Sequence, residues 1–159
     1  MTSEWVLLAY RLPREPSTPR ITLWRKLRRL GAEQLVDGLV ALPADARTVE
    51  AFDWLADDVL EAGGEAWTWR ARPGSQAQEQ ALRERMTSSV AEDYRALLAG
   101  AEEAQSEPRP RTVERLRREL HRIEDRDHFA PTEEREQARR AVERLASLVE
   151  ADESRRLPR

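Results

Sequence analysis

Five cations, Arg20, Arg25, Lys26, Arg28 and Arg29, lie close together in the segment RITLWRKLRRLGA, residues 20–32, which contains no acidic residue. Guanidinium groups present a planar fork of donors that matches phosphate and other oxyanions, so a helix face dense in arginine is the electrostatic footprint of a nucleic-acid or oxyanion site. A solvated outer face has the same composition and is the commoner cause of such a run, and Glu33 and Asp37 follow closely enough to dilute the field. With a formal net charge of −3 the chain has no global basic excess. Any polyanion binding must therefore come from a local patch of this kind.

Other chemistry is sparsely represented. The absence of cysteine removes thiol catalysis, disulfides and thiolate metal sites. His121 and His128 show no metal-ligand spacing, and the chain has neither a glycine-rich phosphate loop nor a nucleophile elbow. The carboxylate pairs Asp57-Asp58, Glu102-Glu103 and Glu124-Asp125 are sequence neighbours, which point apart on a helix and make poor acid–base partners. We therefore expect no catalytic residue, no metal site and no cofactor, and a protein that is not an enzyme. Of the five tryptophans, Trp5, Trp24 and Trp54 stand at apolar-periodic or core-adjacent positions and are expected in the core. Trp67 and Trp69 share one strand face. They are expected either to be exposed together, as base-stacking platforms are, or to pack against the long helix that carries Met86 and Tyr94.

The elements that must position these groups follow from periodicity. Trp5–Tyr10 is a short aromatic and aliphatic run, expected as a buried central strand. Ser17 or Thr18 is placed to cap the helix that follows, Pro19 suits its first turn, Ile21, Trp24, Leu27 and Leu30 are expected to form its buried face, and Gly31 is its C-terminal stop. Glu33–Val36 and Leu39–Leu42 flank Asp37-Gly38, a dipeptide that favours tight hairpin turns. Val49, Phe52, Leu55 or Ala56, Val59 and Leu60 recur at helical spacing between Ala46 and Ala62, before Gly63-Gly64. A half-buried strand is expected over Glu65–Arg70, ending at Pro73-Gly74. The order β-α-β-β-α-β predicts an α+β, ferredoxin-like domain over residues 1–74.

From Ser75 the period is helical throughout. Leu82, Met86, Val90, Tyr94 and Leu97 form one stripe, Val113, Leu116, Leu120 and Ile123 a second, and Ala138, Val142, Leu145 and Val149 a third. Pro131 stands at the expected chain reversal. Residues 75–159 are thus predicted as a helical extension, a long helix plus a C-terminal helical hairpin, and the stripes suggest self-association.

The succession WVLLAYRLP, RITLWRKLRRLGA, LVALP, EAFDWLADDVLEAGGEAW, YRALLAG and RLRRELHRIEDRDHF resembles the N-terminal part of the chromate-resistance regulator family ChrB. The resemblance covers nearly the whole chain. It implies a cytoplasmic bacterial protein of the chromate response, in a family described as chromate-sensing transcriptional regulators. Members usually carry a further C-terminal domain, which this chain is expected to lack. Within the matching RxxxWR motif, Arg20 and Arg25 are the functional candidates, with Trp24 as core, Gly31 as cap, and Lys26, Arg28 and Arg29 in support. The fold also resembles ferredoxin-like nucleases of the CRISPR adaptation type and a domain of phenylacetate-operon repressors. The metal-dependent nucleases use an acid at the end of the first strand, where this chain has Tyr10-Arg11. DNA and a second copy of the chain are the expected partners. A membrane is not, because the run at Trp5–Tyr10 is far shorter than the roughly 20 apolar residues that span a bilayer.

Overall fold

Strand β1 (Trp5–Arg11) lies inside a four-stranded antiparallel sheet with β2 (Glu33–Val36), β3 (Leu39–Pro43) and β4 (Glu65–Ala71), in the order β2-β3-β1-β4. The computed structural model describes residues 2–130 and 132–157, so the reversal expected at Pro131 lies outside the described residues. Helices α1 (Thr18–Leu30) and α2 (Ala46–Glu61) interrupt the strands, and α3 (Gln76–Glu103), a short 3-10 turn, α4 (Pro110–Asp125) and α5 (Thr132–Arg156) follow. The chain divides into two units, residues 1–86 and 87–159, with the division inside α3.

In the first unit, strand alternation decides which residue faces which layer. Val6, Leu8, Val40 and Leu42 are buried on one face, together with Leu23 and Leu27 of α1 and Phe52, Leu55 and Val59 of α2. The register pairs Val6 with Leu42 and Leu8 with Val40. On the opposite face Trp5, Leu7, Ala41 and Ala71 border an apolar cavity of about 380 Å³ whose other wall is Ala81, Leu82 and Arg85 of α3. The expected hairpin is present. Gly38 adopts φ +74° in its turn, donor Tyr10 N–H reaches the Gly38 carbonyl at 2.8 Å, and a Cβ at that position would sit 2.6 Å from the Tyr10 oxygen. Only glycine fits both the backbone conformation and the approach.

The helix ends are partly as the sequence suggests. Gly31 closes α1 in the left-handed conformation at φ +73°, its N–H donating to Arg28 and that of Ala32 to Leu27. Ser17 occupies the N-cap position, yet its side chain makes no capping bond. Asp45 caps α2 with a full capping box, accepting from Thr48 N–H while the Thr48 hydroxyl accepts from Asp45 N–H.

The expected inner face of α1 is corrected. Leu27 is buried and Leu30 half-buried, but Ile21 is 48% and Trp24 59% exposed, and the deepest apolar partner of Leu27 is Leu23. The reason is geometric. At about 100° per residue, four residues spaced by threes drift through roughly 180°, so Ile21 and Leu30 stand on opposite sides of the helix. Trp54 is likewise not core-adjacent but 68% exposed, and Leu60 is exposed beside the buried stripe Thr48, Phe52, Leu55 and Val59. Trp5 is buried as expected, and Trp67 and Trp69 are exposed together on β4.

The second unit is helical, and Val90, Tyr94 and Leu97 of the first stripe meet Val113, Leu116 and Ile123 of the second and Ala138, Val142, Leu145 and Val149 of the third in one core, whereas Leu82 and Met86 of the first stripe belong to the first unit. The stripes read as a reason for self-association are therefore largely consumed within the unit itself. Polar ties surround this core. The fully buried Tyr94 donates its hydroxyl to Asp127 at 2.8 Å, and both burial and that hydrogen bond hold its pKa well above the ordinary phenol value. Asp127 also accepts from the Phe129 and Ala130 N–H groups of the turn before α5. Arg126 reaches Asp93 through two nitrogens at 2.9 and 3.2 Å.

Candidate nucleic-acid interface

The five cations of α1 do not form one equivalent set. Lys26 lies on the shoulder of the helix that turns toward α2, where its Nζ is 2.8 Å from an Asp58 oxygen, so part of its charge is neutralised locally. Arg28 lies over the Trp24 ring, 5.6 Å from the centroid, a cation–π arrangement one helical turn apart. Arg20 is close enough to Tyr10 to favour its ionised form. Burial and the Asp37 carboxylate outweigh it, and the Tyr10 pKa is raised. Arg25 and Arg29, one turn apart, are exposed and show no carboxylate partner among the described residues.

The outer arc of α1 thus carries Arg25, Arg29 and Arg28 together with the exposed Ile21 and Trp24. No acidic residue occupies its first turn, and Arg28 and Arg29 occupy its last, where the helix dipole favours cations. Because Lys26 is engaged with Asp58 and Arg20 stands toward Tyr10, the two cations most available to an external anion are Arg25 and Arg29. Unpaired guanidinium groups of this kind hold phosphate oxygens without first breaking an internal ion pair. The neighbouring α2 has the opposite character, carrying Glu50, Asp53, Asp57, Asp58 and Glu61. That contrast confines the positive field to one helix of the layer.

Two features were not anticipated from the sequence. The first is that Trp24 and Ile21 belong to the outer arc, which the alternative stripe Leu23–Leu27, at i and i+4, would have signalled. The second is a row of arginines on α4. Arg111, Arg115, Arg118 and Arg122 recur at i, i+4, i+7 and i+11 and are all exposed. Of the paired carboxylates, Asp58 and Glu124 are held in ion pairs. Glu124 accepts from Arg139 at 2.8 Å and lies 3.6 Å from Arg135, contacts that lower its pKa, with the Arg139 hydrogen bond foremost. His121 is 3.7 Å from Asp125. Among the described residues no group of three His, Cys, Asp or Glu side chains is placed to hold a metal ion, and no helix is long and apolar enough to cross a membrane.

The family model described as "Protein ChrB, N-terminal" matches residues 20–109, from the first residue of the basic run to the residue before α4. A relative named Protein ChrB, from Cupriavidus metallidurans, is 33% identical over 75 residues, covering 47% of this chain and 23% of the relative. The matched region thus spans about a quarter of that relative's length. No solved structure matches. The family match covers more than half of the chain and includes all of α1, so the protein carrying this basic helix belongs to the ChrB N-terminal family.

Proposed function

We propose that this chain is a DNA-associated, non-enzymatic regulatory protein of a chromate or related stress response, acting in the cytoplasm, with residues 1–74 as a ferredoxin-like domain and 75–159 as its helical extension. The element order β-α-β-β-α-β and the strand order β2-β3-β1-β4 support that description of the domain. Kinship with ChrB supports the regulatory role. The observation that carries DNA contact is the pair of exposed arginines, Arg25 and Arg29, that have no carboxylate partner among the described residues and stand on an acid-free helix. Arg20, Lys26 and Arg28 support it from the flanks. Such a patch makes phosphate contacts, whose hallmark is steep salt dependence.

Fluorescence anisotropy with a duplex from the gene's own promoter region tests this reading. The wild-type chain should bind, and more weakly as salt rises, while Arg25→Glu with Arg29→Glu should reduce affinity at least tenfold. Absence of wild-type binding at low salt, or no loss in the double variant, overturns it.

A second reading, self-association, is favoured by one feature. Trp24, Trp54, Trp67 and Trp69 are each more than half exposed in the first unit, and tryptophan is the residue type most enriched at interface hot spots. Light scattering across a wide concentration range decides it, and a strict monomer rules it out. A nuclease reading has little support, since β1 ends in Tyr10 and Arg11 where the resembling enzymes carry an acid.

A further inference from the structure

Helix α4 separates its residues with unusual clarity. Val113, Leu116 and Ile123 are buried on one side. Arg111, Arg115, Arg118 and Arg122 fall within an arc of about 60° on nearly the opposite side at 3.6 residues per turn. Most arginines of the second unit have a carboxylate partner. Arg95 pairs with Glu134, Arg117 with Glu143, Arg126 with Asp93, Arg139 with Glu124, and Arg140 with Glu136. Arg111, Arg115 and Arg118 have none among the described residues, although Glu114 stands in the same groove. Arg122 is 3.5 Å from Glu119 at the exposed end of the row. The start of the helix adds to the positive character. Arg109 at the N-cap makes no side-chain capping bond and is paired with Glu107, and the first turn itself has no acidic residue to offset the positive end of the helix dipole.

We infer that the outer crest of α4, Arg111, Arg115 and Arg118 with Arg122 at its end, is a binding ridge for the phosphate backbone of duplex DNA. The inference rests on the DNA-associated reading of the chain but adds a separate surface, beyond the residues that the family model matches. At 1.5 Å per residue the row extends about 16 Å, which is the axial length of roughly five nucleotide steps at 3.4 Å. A linear set of guanidinium forks on that scale contacts consecutive phosphates of one strand or bridges a groove. A membrane surface is disfavoured because no large apolar residue of α4 is exposed, and an interfacial helix requires an apolar face to insert. Sequence readout is not part of the role. Arginines aligned on phosphates position a protein on DNA and leave base recognition to other contacts.

The test uses the full chain, a 30-base-pair duplex and binding measured by anisotropy over a range of salt concentrations. Replacing Arg111, Arg115 and Arg118 by Ala should flatten the slope of log affinity against log salt by about 2 to 3 and weaken binding at low salt at least tenfold, because each phosphate contact contributes about 0.9 to that slope. Arg117→Ala, which removes an arginine paired with Glu143, should leave the slope unchanged. Circular dichroism should show equal helicity for all variants, since the three side chains are exposed. An unchanged slope in the triple variant overturns the ridge even when Arg25→Glu with Arg29→Glu abolishes binding. The converse result, loss only in the α4 variant, keeps the ridge and overturns the α1 reading. Wild-type chain that binds no duplex overturns both, and triple-variant loss on anionic vesicles without loss on DNA overturns the ridge in favour of a membrane.

Discussion

Helices α1 and α4 each carry five cations, yet they expose them in different company. On α4 the apolar residues Val113, Leu116, Leu120 and Ile123 mix steps of three and four, stay within an arc of about 80°, and leave the arginine row on nearly the opposite side, with Glu114 at its edge. On α1 the steps of three carry Ile21 and Trp24 round to the outside, among the arginines, while Leu23 and Leu27 do the burying. The count of apolar residues in a helix thus says little about its orientation. Whether their spacing drifts says a great deal. The same difference separates a mixed aromatic and cationic surface, suited to a partner that offers both charge and flat apolar area, from one that is cationic without exposed apolar residues and suited to phosphate.

The largest effects should come from truncating what each helix buries. Leu27→Ala and Leu116→Ala should each destabilise the protein by about 2–5 kcal/mol in chemical denaturation, as core truncations do. A small loss at Leu27 would mean that α1 is seated on another face. Next in size, Gly38→Ala should cost about 1–3 kcal/mol, because alanine must adopt a left-handed backbone and approach the Tyr10 carbonyl. Because the hairpin it closes belongs to the sheet beneath α1, the loss should appear without any change in the helical unit's own proton-exchange protection.

Tyr94→Phe should cost about 1–2 kcal/mol by removing a buried donor and leaving Asp127 one partner short. A smaller effect is expected from acid. The folded-state pKa of Glu124 is depressed, so its contribution is present above the ordinary carboxylate value and is lost as pH falls through the lower folded value. Thermal stability of the wild type should therefore drop more steeply below a pH of about 4.3 than that of Glu124→Gln. Equal slopes would show that the Arg139 contact does not persist in solution. The smallest effects should come from the outside. Trp24→Ala and Arg115→Ala should each change stability by no more than about 0.5 kcal/mol, the usual range for surface positions. A large loss at Trp24 would return that residue to the core and remove the contrast with α4.

Much of the scaffold was legible in the sequence because it rests on local chemistry. Asp37-Gly38 between two short apolar runs specifies its own turn, and Gly31 its own helix stop. The stripes from Val90 onward mark the second unit's core, since their spacings hold one face through many turns. The basic run of α1 was equally plain. What stayed hidden depends on choosing between two overlapping apolar patterns, Ile21-Trp24-Leu27-Leu30 or Leu23-Leu27-Leu30, that share Leu27 and Leu30. The steps of three drift round the helix, and packing against the sheet selects the set that does not. Internal pairing was hidden too. Lys26 and Arg25 look alike in a sequence, and their difference arises from a carboxylate thirty-two residues away. The α4 row could have been read from its spacing, but an excess of arginine throughout the chain masked it.

The Lys26–Asp58 pair has a consequence for how this surface drifts over evolutionary time. A family member that loses the lysine leaves an unbalanced carboxylate beside the basic helix, and one that loses the aspartate gains a further free cation. Among homologues, positions 26 and 58 should therefore change together, as a charge pair kept, reversed or jointly discarded, whereas positions 25 and 29 should vary only with the partner they touch.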